Sequence, residues 1–247
     1  MTNDRAIVSV LARMQDRLDI LPAGLEHHRV FLATYQRTTR AIGDAIDSAE
    51  FDDADWVDAW DADFADLYLA ALDAEIAGDR RPSRPWRLAF AAPASLPPLR
   101  HVLFGINAHI NYDLPQALLA VISDADFNDP ALIERRRADH ERIDGVLGSR
   151  VSAEDHQLAD RRTLLDRALT PLNRYGSRRF LREARQKVWH NTLELNTSRR
   201  LGPEEYATRL AELELLSAAK VAELLAPGQV LLRLAIAGFG VTLPPAA

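Results

Sequence analysis

Apolar residues recur at three- and four-residue intervals along nearly the whole chain, and clean alternation is almost absent, which predicts helices and no sheet. Asn3 or Asp4 is placed to cap a first helix that runs to about Asp19. Pro22 opens a second, with Leu25, His28, Leu32, Tyr35, Ile42 and Ile46 on one stripe, and Asp53 starts a third that reaches Ala77 before Gly78. Five prolines between positions 79 and 98 (Pro82, Pro85, Pro93, Pro97 and Pro98) predict a long loop. Pro97 or Pro98 then opens a strongly apolar helix through about Ile122. Asp129-Pro130 caps the next, which is expected to end near Gly145 or Gly148, and Ser152-Ala-Glu-Asp begins another that runs to Leu169 before Pro171. Two long helices follow over roughly 177–198 and 203–225, the second opened by Gly202-Pro203. The apolar tail from Pro227, interrupted at Gly238-Phe239-Gly240, is expected to dock on the core as an arm over 227–247. The pattern is that of one all-α domain over 1–247, a single-domain bundle of about eight helices around a proline-kinked central helix.

The composition narrows the function classes. A chain of 247 residues that is 47% hydrophobic can bury a sizeable core, so wholesale disorder is excluded. It has no cysteine, hence no disulfide framework, no thiolate nucleophile and no cysteine-bound metal. A formal charge of -6 argues against nucleic acid as a partner. The N-terminal segment is charged throughout and no long uncharged apolar run follows, so neither a signal peptide nor a membrane span is expected, and the default is a soluble cytoplasmic protein. Positions 44–79 contain Asp and Glu but neither Lys nor Arg, whereas 178–200 carries Arg178, Arg179, Arg182, Arg185, Lys187, Arg199 and Arg200. These read as two solvated faces that pair with each other, or as an anion site on the basic helix.

Candidate chemistry lies in the central helix, LRHVLFGINAHINYDLPQALLAVI over 99–122. A helix so apolar on every side is normally buried. Its middle nevertheless holds Asn107, His109, Asn111, Tyr112 and Asp113. Each such group costs about 1–3 kcal/mol if buried without a partner, so the cluster needs partners, solvent or a ligand. His109 and Asp113, four apart, point to one spot, and Pro115 frees the carbonyl of Asn111 beside them. An imidazole, a carboxylate and a loose carbonyl form a plausible cation or substrate site.

Other helices offer partners for it. Asp66 shares a face with Ala62, Leu69 and Ala70; His28 lies in an apolar stripe; Asp139 shares a face with Leu132, Ile143 and Val146, with His140 beside it; His190 and Glu194 form another pair four apart. Carboxylates and imidazoles on facing helices are how bundles build metal sites, and a mixed set of His109, Asp113, Asp66, His28 and Asp139 suits Zn, Mn or Fe(II). No H-E-x-x-H, paired E-x-x-H, G-x-S-x-G or phosphate-loop motif is present. Asp52-Asp53-Ala54-Asp55 is similar to the aspartate-rich magnesium motif of terpene cyclases, but its place at a helix N-terminus makes it a cap.

The string Gly105-Ile-Asn-Ala-His-Ile-Asn-Tyr-Asp-Leu-Pro115 resembles the hallmark of an uncharacterised actinobacterial family, helical and of about this length, known as a domain of unknown function. Asp126-Phe127, Asp139-x-x-x-Ile143-Asp144 and Arg185-x-x-x-Trp189 are similar to secondary landmarks of that family, over about residues 20 to 225. The resemblance favours 105–115 as the site and implies no activity. Three functions remain open from the residues. The first is a metal-assisted hydrolase of a small molecule, with His109 and Asp113 as ligands or base pair and with Tyr112 or Asn107 holding a substrate atom. The second is a metal-free His/Asp lyase or cyclase on an apolar natural product. The third is a non-catalytic helical module that binds a ligand or forms an assembly.

Overall fold

The computed structural model describes residues 5–79, 82–157, 164–228, 230, 233–234 and 238–245, with the side chains of 144 and 147–181 outside the described set. Among the described residues the elements are all helical: α1 (Ala6–Ile20), a 3-10 segment (Ala23–His28), α2 (Arg29–Asp47), α3 (Ala54–Ile76), α4 (Arg84–Phe90), α5 (Pro98–Ala108), a π turn (His109–Asp113), α6 (Leu114–Ala120), a 3-10 turn (Asp126–Asn128), α7 (Pro130–Gln157), α8 (Leu164–Leu201) and α9 (Pro203–Leu225). Because α5, the π turn and α6 are one continuous rod, the bundle has about eight rods, as the apolar periodicity predicts.

Most helix ends follow their local signals. Asp53 caps α3, its Oδ1 accepting from the Trp56 N–H at 3.3 Å, and Gly78 leaves the helix at a φ of +69°. Asp129 Oδ1 accepts from the Ala131 and Leu132 N–H groups at 3.0 and 3.1 Å, ahead of Pro130 at the start of α7. Asn3 and Asp4, the expected caps of α1, lie outside the described residues.

Three expected boundaries differ. The proline-rich stretch is not loop throughout: α4 occupies Arg84–Phe90, because Pro85 falls in its first turn and no further proline comes before Pro93. α7 passes Gly145 and Gly148 and takes in Ser152, and α8 passes Pro171. An internal glycine costs a helix about 1 kcal/mol and does not end one held by packing, here through buried Ile143 and Val146.

The α5–α6 rod is the centre of the bundle, packed by α2, α3, α4, α8 and α9. α1 lies against α2 and α3, and α7 joins α2 to α8. Described residues of the C-terminal segment bond to α8. Asn191 accepts from the Leu243 N–H (2.9 Å) and donates to the Val241 carbonyl (3.0 Å), while Lys187 donates to the Phe239 carbonyl (3.0 Å).

Among the described residues the acidic stretch pairs with Arg5, α1 and α7: Asp47 with Arg5, Asp66 with Arg13, Asp73 with Arg17, and Asp52 with Arg142. Asp139, an expected metal ligand, is instead a fastener. Its buried carboxylate accepts from the backbone N–H groups of Asp52 (2.9 Å) and Asp53 (2.7 Å), tying α7 to the start of α3. Asp139→Ala would strand both donors, so a loss of about 2–4 kcal/mol in chemical denaturation is expected; a loss below about 0.5 kcal/mol would show that the fastener carries no weight.

Candidate functional site

Pro115 has no N–H to give the Asn111 carbonyl, and the rod responds by widening its winding just before it. The Leu114 N–H reaches back five residues to the His109 carbonyl, which defines the π turn, while φ and ψ stay right-handed helical at His109, Asp113 and Leu114. Gln116 Nε2 donates to the Tyr112 carbonyl at 2.7 Å, so that carbonyl is satisfied by a side chain. The wider turn brings side chains four apart closer to register, and His109 and Asp113 meet.

His109 Nδ1 lies 2.8 Å from Asp113 Oδ2, and Trp86 Nε1, from α4, donates to the same oxygen at 2.7 Å. With two donors converging on it, Oδ2 is the acceptor; Nδ1 then carries the hydrogen and Nε2 the lone pair. The imidazole is enclosed by aromatic rings. Phe64 stacks on it at 3.5 Å and 7°, Tyr35 meets it edge-on at 4.6 Å, and Tyr68, Trp86 and Phe31 stand at 5.8 to 6.2 Å. Burial in this box lowers the His109 proton affinity and raises that of Asp113, and the hydrogen bond between them opposes both shifts. His109 Nε2 is buried and has no hydrogen-bond partner.

His109 lines an internal cavity of about 110 Å³, together with Tyr35, Trp60, Asp61, Phe64, Ile110, Leu114 and Arg185. Asp61 is 1% exposed, and neither carboxylate oxygen has a hydrogen-bond partner. Burial, with Asp58 nearby, pushes its carboxyl up to about 8, against the pull of Arg185. His140, both ring nitrogens unpartnered, is held well below the usual imidazole range by burial and by Arg185. On the other side Asp113, Trp86, Tyr112 and Gln116 line an open cleft of about 580 Å³. The His109–Asp113 pair thus stands between an open cleft and a mostly apolar cavity.

The remaining expected residues separate. Tyr112 faces the cleft, on the far side of the pair from the cavity. Asn107 donates to the Leu103 carbonyl (2.8 Å) and accepts from Asn111 (3.3 Å), a ladder internal to the rod. Asp66 is on the surface, paired with Arg13 at 2.5 Å. His28 is buried against Phe90 and beside His27 and His101, apart from His109. His190 and Glu194 hold the arm and Arg209. Among the described residues no group of three or more His, Asp or Glu is placed to hold a metal ion.

Trp86 and Asp61 are the site residues that the sequence reading passed over. Trp86 sits in the segment taken for loop. Asp61 had a signal: it falls on the Val57, Phe64 and Tyr68 face of α3, the one acid among buried apolar positions.

Two titrations follow. An unfolded Asp ionises near pH 3.9, and Asp61 ionises near 8 in the fold, so between those values the folded state holds a proton that the unfolded state has lost, and stability falls as pH rises. Asp61→Asn, which mimics the protonated acid, is expected to match the wild type at pH 4 and to exceed it by more than about 1 kcal/mol at pH 8 in urea denaturation. Equal differences at both pH values would mean that Asp61 is ionised throughout. For His28 the sign is opposite: burial first, then His27 and His101, depress its folded value to about 4. The unfolded histidine takes up its proton near 6.5, so stability falls as pH drops from 6.5 toward 4. The His28 imidazole resonances should stay constant in NMR down to about pH 4.5; a midpoint near 6.5 would refute the burial argument.

The model of one family, described as a family of unknown function (DUF5995), matches residues 7–227. Neither the curated proteins nor the solved structures contain a significant match to the chain.

Proposed function

The chain belongs to that family, and since membership brings no chemistry with it we propose a function from the site: an enzyme that acts on a small, largely apolar molecule by general acid–base catalysis at His109, with Asp113 as its orienting partner. The observation that carries this reading is His109 itself. Its Nδ1 is fixed by a carboxylate that Trp86 also holds, while its Nε2 is buried and unpartnered in a residue that lines a cavity.

A neutral imidazole is a competent base near pH 7, and lowered proton affinity keeps it neutral there. Asp113 fixes the tautomer and steadies the imidazolium that forms when Nε2 takes a proton. Trp86 keeps Oδ2 aimed at Nδ1. The aromatic rings limit the water around the imidazole. A buried polar atom without a partner costs about 1–3 kcal/mol, and a ligand in the cavity is what would offset that cost. Metal-assisted hydrolysis has less support, because Nδ1 and Oδ2 are engaged with each other and Asp66, His28 and Asp139 lie elsewhere.

The test is to incubate wild type and His109→Gln with a small-molecule extract and to follow depletion by mass spectrometry, with elemental analysis of both proteins. Wild type is expected to consume a small compound that His109→Gln leaves untouched, a rate loss of at least ~100-fold. Consumption by both, or by neither when His109→Gln is also less stable, would make the pair a structural network. Near-stoichiometric Zn, Mn or Fe in the wild type that is lost from the variant would replace the acid–base reading with a metal site.

A further inference from the structure

Asp61 stands one helical turn before Phe64 on α3, about 4.5 Å along the axis, and Phe64 is the ring stacked on His109. Both side chains line the same cavity, and both present buried atoms that no protein group satisfies: the two carboxyl oxygens of Asp61 and Nε2 of His109. Native proteins leave few buried polar atoms unpaired, so these three in one small space, with Tyr35 Oη and Trp60 Nε1 of the same lining also unpartnered, point to a ligand that bridges them. The rest of the wall is mostly hydrocarbon, from Ile42, Ile106, Ile110 and Leu114. A cavity of about 110 Å³ is somewhat smaller than one that holds benzene, which favours a ligand of roughly four to six heavy atoms.

We propose that Asp61 is the proton donor opposite His109, and that the cavity carries out proton transfer on a small carbonyl compound, forming its enol and thereby moving a double bond or exchanging a hydrogen. The proposal rests on His109 acting as the base. His109 Nε2 takes a proton from the carbon next to the carbonyl, and the C–H electron pair becomes the C=C bond. The C=O π pair moves to oxygen, and Asp61 gives its carboxyl proton to that oxygen. In the reverse half His109 returns its proton to the same carbon or to a conjugated one, and Asp61 recovers its own. Atoms and electrons balance without a co-reactant. The environments suit the assignment, since burial keeps Asp61 protonated and His109 unprotonated at the same pH.

The experiment is hydrogen exchange on cavity-sized ketones. Acetone, butanone and cyclopentanone are incubated in deuterated water with wild type, Asp61→Asn, Asp61→Glu and His109→Gln, and deuterium at carbon is read by NMR. Wild type is expected to exceed the buffer rate on at least one ketone. Asp61→Asn and His109→Gln should each lose at least ~100-fold of that excess, and Asp61→Glu should keep part of it. Asp61→Asn is expected to fold, since the amide replaces a protonated acid, and circular dichroism checks this. Exchange that survives in Asp61→Asn but fails in His109→Gln overturns the role of Asp61 and leaves the base intact. Exchange that survives in His109→Gln overturns the base and with it this proposal. No excess exchange by wild type on any of the three ketones overturns the carbonyl chemistry.

Discussion

Desolvation governs the centre of this protein. An imidazole inside five aromatic rings has given up its water, and the fold returns one hydrogen bond through Asp113 and none at Nε2. The neighbours are arranged around that fact. α4 exists to deliver Trp86 to Asp113, α3 delivers Phe64 to the face of the ring, and α2 delivers Tyr35 and Phe31 to its edges. Phe31 is held in turn by Gly105. A Cβ there would lie 2.4 Å from the Phe31 ring, so the glycine that opens the 105–115 string is explained by packing rather than by chemistry.

Periodicity and caps made the bundle legible, because each helix buries a stripe and ends on a local signal: Asp53, Gly78, Asp129-Pro130 and Gly202-Pro203 all stand at the ends they imply. The pairing of His109 with Asp113 was equally legible, being a contact within one helix four residues apart. What was not legible was which helix faces which. Asp66, His28 and Asp139 each lie on a face that looks inward, yet they meet Arg13, Phe90 and the backbone of Asp52 and Asp53. Inwardness is a property of one helix, whereas convergence depends on the rotation of two, and nothing local encodes that rotation.

The same distinction explains Asp61 and Trp86. In the run of acids from 44 to 79, Asp61 differs from its neighbours only in phase, standing on the Val57, Phe64 and Tyr68 face. Charge density hides it and periodicity reveals it. Trp86 was hidden by the prolines around it, whose density suggests loop, although a proline in a first turn promotes a helix as readily as one in the interior prevents it.

A pair that separates an apolar cavity from an open cleft has a further consequence for any proton chemistry there. His109 lines the cavity, while Asp113, bonded to Nδ1, lines the cleft of about 580 Å³. A base in a dry box would hold its proton indefinitely if nothing connected it to solvent. Asp113 would supply that connection, because a proton arriving at Nε2 weakens the hold of Nδ1 on its own hydrogen, and the buried carboxylate that would accept it belongs to the lining of the cleft. The pair would therefore reconcile two demands that conflict in most sites: exclusion of water from the reacting atoms and exchange of protons with water between turnovers.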